Sequence, residues 1–226
     1  MFELIAENTN CTSVSLSSSK NLDRGEHVVL GISPFNSYFT AQTIYNSIIW
    51  AYNNFKEINI FIPDRLPVHT FLACGYSLDQ AEKKVRRQTN YLINKIDKAL
   101  QLIANEKPKL QKSLILIDDL DINEEYGNVL FEIYEKYKKD ACFKNFCLEA
   151  TKSVTSENKG FIMNLDIAVN YFLRELPLLV NSPNIFNVNY STFVYHKYPP
   201  LLKKFYNDNA FGLIANNQGF CCVEFC

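Results

Sequence analysis

Short apolar runs alternate with long helix-periodic stretches along the chain, and neighbouring runs lie too far apart to close as hairpins. His27–Ile32, Glu57–Pro63, Ser113–Leu120, Ser191–His196 and Gly219–Phe225 have the composition of buried strands. A helix is expected from about Tyr38 to Phe55, with Ile44, Ile48, Tyr52 and Phe55 on one face. A longer one should run from Leu78 to about Ala104, opened by Ser77 as N-cap with Gln80 as its reciprocal partner. Residues 123–157 read as helical with a break near Asp140, and Gly160–Val180 as a helix ended near Pro177. This succession predicts an α/β chain with a parallel, doubly wound sheet of about five strands and helices on both faces. Residues 1–25, rich in Ser and Asn, read as an irregular arm, and 26–226 as a single domain.

Composition narrows the function classes. The net charge of −1 argues against wholesale nucleic-acid binding but leaves room for a local basic face. Seven cysteines, an odd number with no CxxC pair, fit reduced thiols in a cytoplasm better than a disulfide framework or a zinc site. The N-terminal segment lacks the apolar core of a signal peptide, and no apolar run is long enough to span a bilayer. There is no Walker A loop, no G-x-G-x-x-G and no H-E-x-x-H, so nothing suggests a nucleotide, flavin or metal cofactor.

In open parallel sheets ligands gather at the carboxyl ends of the strands. Ser33, Asp118 and the pair Tyr195–His196 each fall at such an end. Ser33, with the small Gly31 two places earlier, reads either as a nucleophile or as the N-cap serine of an ordinary turn. The G-x-S-x-G elbow of serine hydrolases is absent, since position 35 is Phe. Tyr171 and Glu175 lie one helical turn apart in the apolar segment "NYFLRELPLL". A carboxylate there is costly unless paired: it holds a cationic ligand, such as a substrate ammonium, or it pairs with Arg174 or a lysine. Tyr195 can relay protons and His196 can titrate; alternatively they are a satisfied core tyrosine and a surface histidine.

The helix from Leu78 carries an apolar stripe of Ala81, Val85, Leu92, Ile96 and Leu100. Lys83, Arg87 and Lys98 fall on the opposite side, flanked by Lys84, Arg86 and Lys95. Residues 78–99 hold six basic and three acidic side chains, so this strip is basic on a chain that is otherwise mildly acidic. It suits docking onto phosphates, or it is a solvated helix face.

"HVVLGIS–FNSYF", "YFLRELP" and "VYH", in that order with the basic helix between them, resemble the signature segments of the cyclodipeptide synthases. Asn36 with Tyr195–His196 resembles the Asn-Tyr-His subgroup. The resemblance implies a Rossmann-like fold similar to the catalytic domain of class I aminoacyl-tRNA synthetases. It implies an aminoacyltransferase that joins the amino acids of two aminoacyl-tRNAs into a 2,5-diketopiperazine, without ATP or a metal. Ser33 would be the nucleophile, Tyr171 and Glu175 would hold the α-ammonium group, Asn36 would position it, and Tyr195 would assist ring closure beside His196. The second aminoacyl-tRNA would react through its amine to give a dipeptidyl-enzyme. Val29, Gly31, Ile117, Leu178 and Phe193 would line the first side-chain pocket, with Gly31 letting that side chain approach. Phe61, Leu179 and Tyr198 would lie near the second. Lys83, Lys84, Arg86, Arg87, Lys95 and Lys98 would contact tRNA. A monomer is expected, with no membrane partner. A serine acyl-hydrolase and a non-catalytic tRNA-binding module are the competing expectations.

Overall fold

The structure is a computed structural model and describes residues 9–13, 15–104, 114–157, 164–197, 202–203, 205–206 and 209–225. The elements follow in the order β1 (Thr9–Ser13), α1 (Leu16–Arg24), β2 (His27–Gly31), α2 (Ala41–Asn54), β3 (Glu57–Phe61), α3 (Pro67–Ala73), α4 (Leu78–Ala104), β4 (Leu114–Ile115), α5 (Ile117–Asp121), α6 (Glu124–Lys139), α7 (Ala141–Glu157), α8 (Leu165–Phe186), β5 (Ser191–Tyr195) and β6 (Gln218–Phe225).

The sheet has six strands in the order β1-β6-β5-β2-β3-β4. β6, β5, β2, β3 and β4 are parallel, and β1 adds an antiparallel edge to β6. Alternating strand residues serve two apolar cores. Val29, Phe61, Phe193 and Phe220 face α5–α8, whereas Val28, Leu30, Ile60, Val194 and Val223 face α2 and α4. Both faces of the sheet are therefore covered, as the uninterrupted apolar runs require.

The long-range parts of the sequence reading need correction. The expected arm is ordered where described: β1 pairs with β6, and Ser15 caps α1 by accepting from Ser18 N at 3.2 Å. Ser18 Oγ in turn accepts from Phe220 N at 3.1 Å, which stitches α1 to the sheet. Residues 1–8 lie outside the described residues. In the described part of the run from Ser113 the strand spans two residues, and Asp64 Oδ1 accepts from Ile117 N at 2.9 Å and turns the chain into α5. Asp118 consequently sits on α5, in an exposed ion pair with Arg65 at 2.6 Å. Helix α8 does not stop at Pro177; its non-helical residue is Asn181. Burial of Leu176, Leu178, Leu179 and Val180 offsets the proline's missing hydrogen bond, which costs about 3 kcal/mol in a helix interior. Residues 160–163, placed in this helix from sequence, lie outside the described residues.

The locally encoded parts match. Ser77 and Gln80 exchange bonds of 3.2 and 3.4 Å at the head of α4. Asp140 separates α6 from α7 and accepts from Cys142 N and Phe143 N.

Candidate active site

β2 and β5 are parallel neighbours in the register Leu30↔Val194. Tyr195 therefore stands opposite Gly31, beside the turn that carries Ser33. Tyr195 Oη donates to Ser33 Oγ at 3.1 Å. Asn36 Nδ2 donates to Tyr195 Oη at 3.2 Å and to His196 Nε2 at 3.3 Å. The Asn36 amide is oriented because its Oδ1 accepts from Tyr38 N at 3.0 Å. Its NH2 group must then face the other two residues, and His196 receives it on Nε2, which places that ring's own proton on Nδ1. His196 is buried beneath the stacked ring of Tyr38, with centroids 4.3 Å apart.

Helix α8 closes the site from above the sheet. Tyr171 lies close enough to Glu175, Tyr195 and Ser33 for each to act on its phenol. The donors run from Asn36 to Tyr195 and from Tyr195 to Ser33. Burial drives the Glu175 carboxyl up to about 8, against the opposing bond from Tyr171. Burial, then the Glu175 charge, holds the Tyr171 phenol well above its ordinary range. Burial likewise raises Tyr195, opposed by its bond to Ser33. A half-buried carboxyl in apolar company takes up its charge when a cation is at hand.

Arg174 is not that cation. It pairs with Asp121, and its backbone carbonyl accepts from Tyr126 Oη at 2.8 Å. These two ties fix the turn of α8 that bears Glu175 against α5 and α6. His27, at the opposite ends of the strands, is a buried structural residue. It bonds Ser191 Oγ at 2.8 Å and accepts from Asn59 Nδ2 at 3.0 Å, and burial lowers it to about 4.

Val29, Ile117, Leu178 and Phe193 are all buried in the core cluster against which Tyr171 and Tyr195 pack. Gly31 is closely surrounded. A Cβ there would meet Phe193 Cζ at 2.9 Å, Phe193 Cε1 at 3.1 Å and Tyr195 Cδ2 at 3.3 Å. The glycine thus makes room for the rings of Phe193 and Tyr195. Gly31→Ala should cost about 1–3 kcal/mol of stability by overpacking and push Tyr195 away from Ser33. A thermal melt that matches the wild type would refute this. Phe61 and Leu179 are also in the cluster, and Tyr198 lies outside the described residues.

On α4, Lys83, Lys84, Arg86, Arg87 and Lys98 are exposed. Lys95 is half-buried: its Nζ donates to Phe39 O at 3.0 Å and lies 4.5 Å from the Tyr91 ring centroid. It secures the chain leading into α2. Tyr38, which orients Asn36 and covers His196, was missed; its place two residues after an Asx-type side chain was the available signal. Among the described residues, no cluster of three or more His, Cys, Asp or Glu is placed to hold a metal, and no helix is long and apolar enough to cross a membrane.

A cyclodipeptide synthase family profile matches residues 9–224. The chain belongs to the cyclodipeptide synthase family. It is thus an enzyme, a tRNA-dependent aminoacyltransferase that makes cyclic dipeptides. The cyclo(L-leucyl-L-leucyl) synthase of Staphylococcus haemolyticus is 30% identical over 210 residues, covering 87% of this chain and 86% of that one. A solved cyclodipeptide synthase structure from the same organism superposes with a TM-score of 0.86 at 25% identity, covering 97% of this chain and all of that one. A Mycobacterium tuberculosis structure that relates cyclodipeptide synthetases to type I tRNA synthetases gives 0.84 at 23%, covering 96% and 93%. The synthase of Candidatus Glomeribacter gigasporarum, solved bound to Phe-tRNAPhe, shares the fold with a TM-score of 0.55 at 12% identity, covering 88% of each chain. The synthetase-like fold expected from the sequence is the one found, with a mixed rather than wholly parallel sheet.

Proposed function

We propose that this synthase works through a covalent aminoacyl group on Ser33, carried from one charged tRNA, and needs no ATP. The observation that carries the reading is the hydrogen bond from Tyr195 Oη to Ser33 Oγ at 3.1 Å, with Tyr171 and the half-buried Glu175 gathered beside it. Ser33 Oγ attacks the ester carbonyl of the first aminoacyl-tRNA; the ribose oxygen leaves and takes up a proton. The substrate's α-ammonium meets Glu175 and Tyr171. The ester is the energy source, so the protein's task is proximity and grip.

Atom balance corrects the direction expected for the second step. If the incoming amine attacked the Ser33 ester, the dipeptide would remain on tRNA. A dipeptide on Ser33 requires the amine of the Ser33-bound residue, released from Glu175 as a free base, to attack the second tRNA's ester. The new terminal amine then attacks the Ser33 ester, forming the second peptide bond and returning the serine hydroxyl. Tyr195, which donates to Ser33 Oγ, is placed to protonate that leaving oxygen.

Val29, Ile117, Leu178 and Phe193 give the first side chain an apolar surround, suited to residues of Leu, Met or Phe size. Apolar pockets separate neighbours by only about 1–3 kcal/mol per methylene, so a family of products is expected. The exposed basic strip of α4 receives the tRNA backbone. Lys83→Ala combined with Arg87→Ala should weaken tRNA binding and lower the salt slope by about 2. An unchanged slope would remove the strip from the interface. The chain acts as a monomer in the cytoplasm, where charged tRNA is available. Expression in bacteria tests the whole reading: cyclic dipeptides with apolar side chains should accumulate in the medium, and their absence with soluble protein present would overturn it.

A further inference from the structure

A short flight of aromatic rings connects α4 to the turn that carries Ser33. Phe35, two positions after the serine, is 40% exposed. Its backbone is held in the left-handed region at φ 64°. That conformation costs a residue with a Cβ about 1–2 kcal/mol, and glycine or asparagine would adopt it more easily. Phe35 meets Phe71 edge-on, with ring centroids 5.1 Å apart, and Phe71 meets Tyr76 in the same manner at 5.3 Å. Tyr76 is also 40% exposed. The edge-on contacts hold the row together and leave its two end rings facing solvent. Lys84 on α4 lies 5.1 Å from the centroids of both Phe71 and Tyr76, which fixes its ammonium beside the row by cation–π attraction. Lys83 and Arg87 continue the positive charge along the same helix.

A strained, solvent-facing phenylalanine beside a nucleophile does nothing for the core. Its arrangement with a cation matches single-strand nucleic-acid sites, where rings receive base faces and cations track the phosphates. We propose that Phe35, Phe71 and Tyr76, with Lys84, form the platform on which the unpaired 3′-terminal nucleotides of a charged tRNA stack while their ester reaches Ser33. This inference rests on the aminoacyl-tRNA reading above. It fits an enzyme that accepts more than one charged tRNA, because stacking is tolerant of base identity.

The test compares binding of intact tRNA with binding of the same tRNA lacking its unpaired 3′ nucleotides, using wild type, Tyr76→Leu, Tyr76→Trp and Lys84→Gln. Wild type should prefer intact tRNA by about 5- to 140-fold, the range expected for one stacked base. Tyr76→Leu should abolish most of that preference while its affinity for the shortened RNA stays at the wild-type level. Tyr76→Trp should retain the preference, and Lys84→Gln should lower the salt slope for intact tRNA alone by about 0.7. Equal weakening of both RNAs by Tyr76→Leu, or no weakening of either, overturns the platform. Acylation of Ser33 is measured separately by intact-protein mass. A mass gain with no stacking preference would sink the platform and keep the transferase. The preference without any mass gain would keep the platform and sink the covalent route.

Discussion

Ser33→Ala protein mixed with charged tRNA should show no mass gain, whereas the wild type gains one aminoacyl group. Cyclic dipeptide formation should fall by at least about 10⁴-fold, since removal of a nucleophile eliminates the covalent route and not one of several binding contacts. The variant should fold normally, because Ser33 is only partly buried and Tyr195 keeps the bond it accepts from Asn36 Nδ2. It should bind tRNA with wild-type affinity through α4. That combination separates the three readings of the fold. A hydrolase would cleave generic esters through Ser33 without forming a dipeptide, and a binding module would be indifferent to the substitution. Dipeptide formation that survives Ser33→Ala would end the covalent account.

Glu175→Gln should reduce kcat/KM for the first acylation by about 10²- to 10³-fold, the usual consequence of taking away one member of a buried charge pair. The pH behaviour should be distinctive. With its carboxyl raised to about 8 in the empty site, Glu175 is mainly protonated at neutral pH. Gripping an ammonium requires the carboxylate, so acylation should rise with pH up to about 8 and decline once the substrate amine, with an ordinary pKa of about 7.7–8.0, loses its proton. Stability of the free protein runs the other way. Between the ordinary carboxylate range and about 8, the folded state holds a proton that the unfolded chain has released. Its stability must therefore fall as pH rises through that window. Glu175→Gln should remove this dependence, so thermal melts of the variant should exceed those of the wild type near pH 8 and approach them near pH 5. Parallel melting curves for the two proteins would show that Glu175 is not held as an acid.

What could be read in the sequence was what neighbouring residues decide among themselves. The Ser77–Gln80 box, the α4 stripe and the break at Asp140 each depend on contacts within a few positions. The errors lie where distant parts of the chain intervene. Asp64 diverts the run after Ser113 into α5, Phe220 gives α1 a partner, and the core carries α8 past Pro177. The site divides in the same way. Ser33, Tyr171, Glu175 and Tyr195 stood out by strand end and helix spacing, Asn36 and the roles of all five came through family resemblance, and the parallel β2–β5 register explains why Ser33 and Asn36 meet Tyr195. The clash that defines Gly31 and the oriented amide of Asn36 depend on side-chain directions that no spacing rule conveys. Phe35 was noticed only for not being glycine, although its backbone conformation is the one that glycine favours.

The anchoring of Arg174 has a wider consequence. Its side chain is tied to Asp121 and its carbonyl to Tyr126, so the height of Glu175, the group proposed to hold the amine, is set from α5 and α6. Exchanges at those two positions can tilt the whole grip by a fraction of a turn. Evolution can therefore shift which amino acids are coupled by altering remote scaffolding while every residue that meets the reacting ester stays the same.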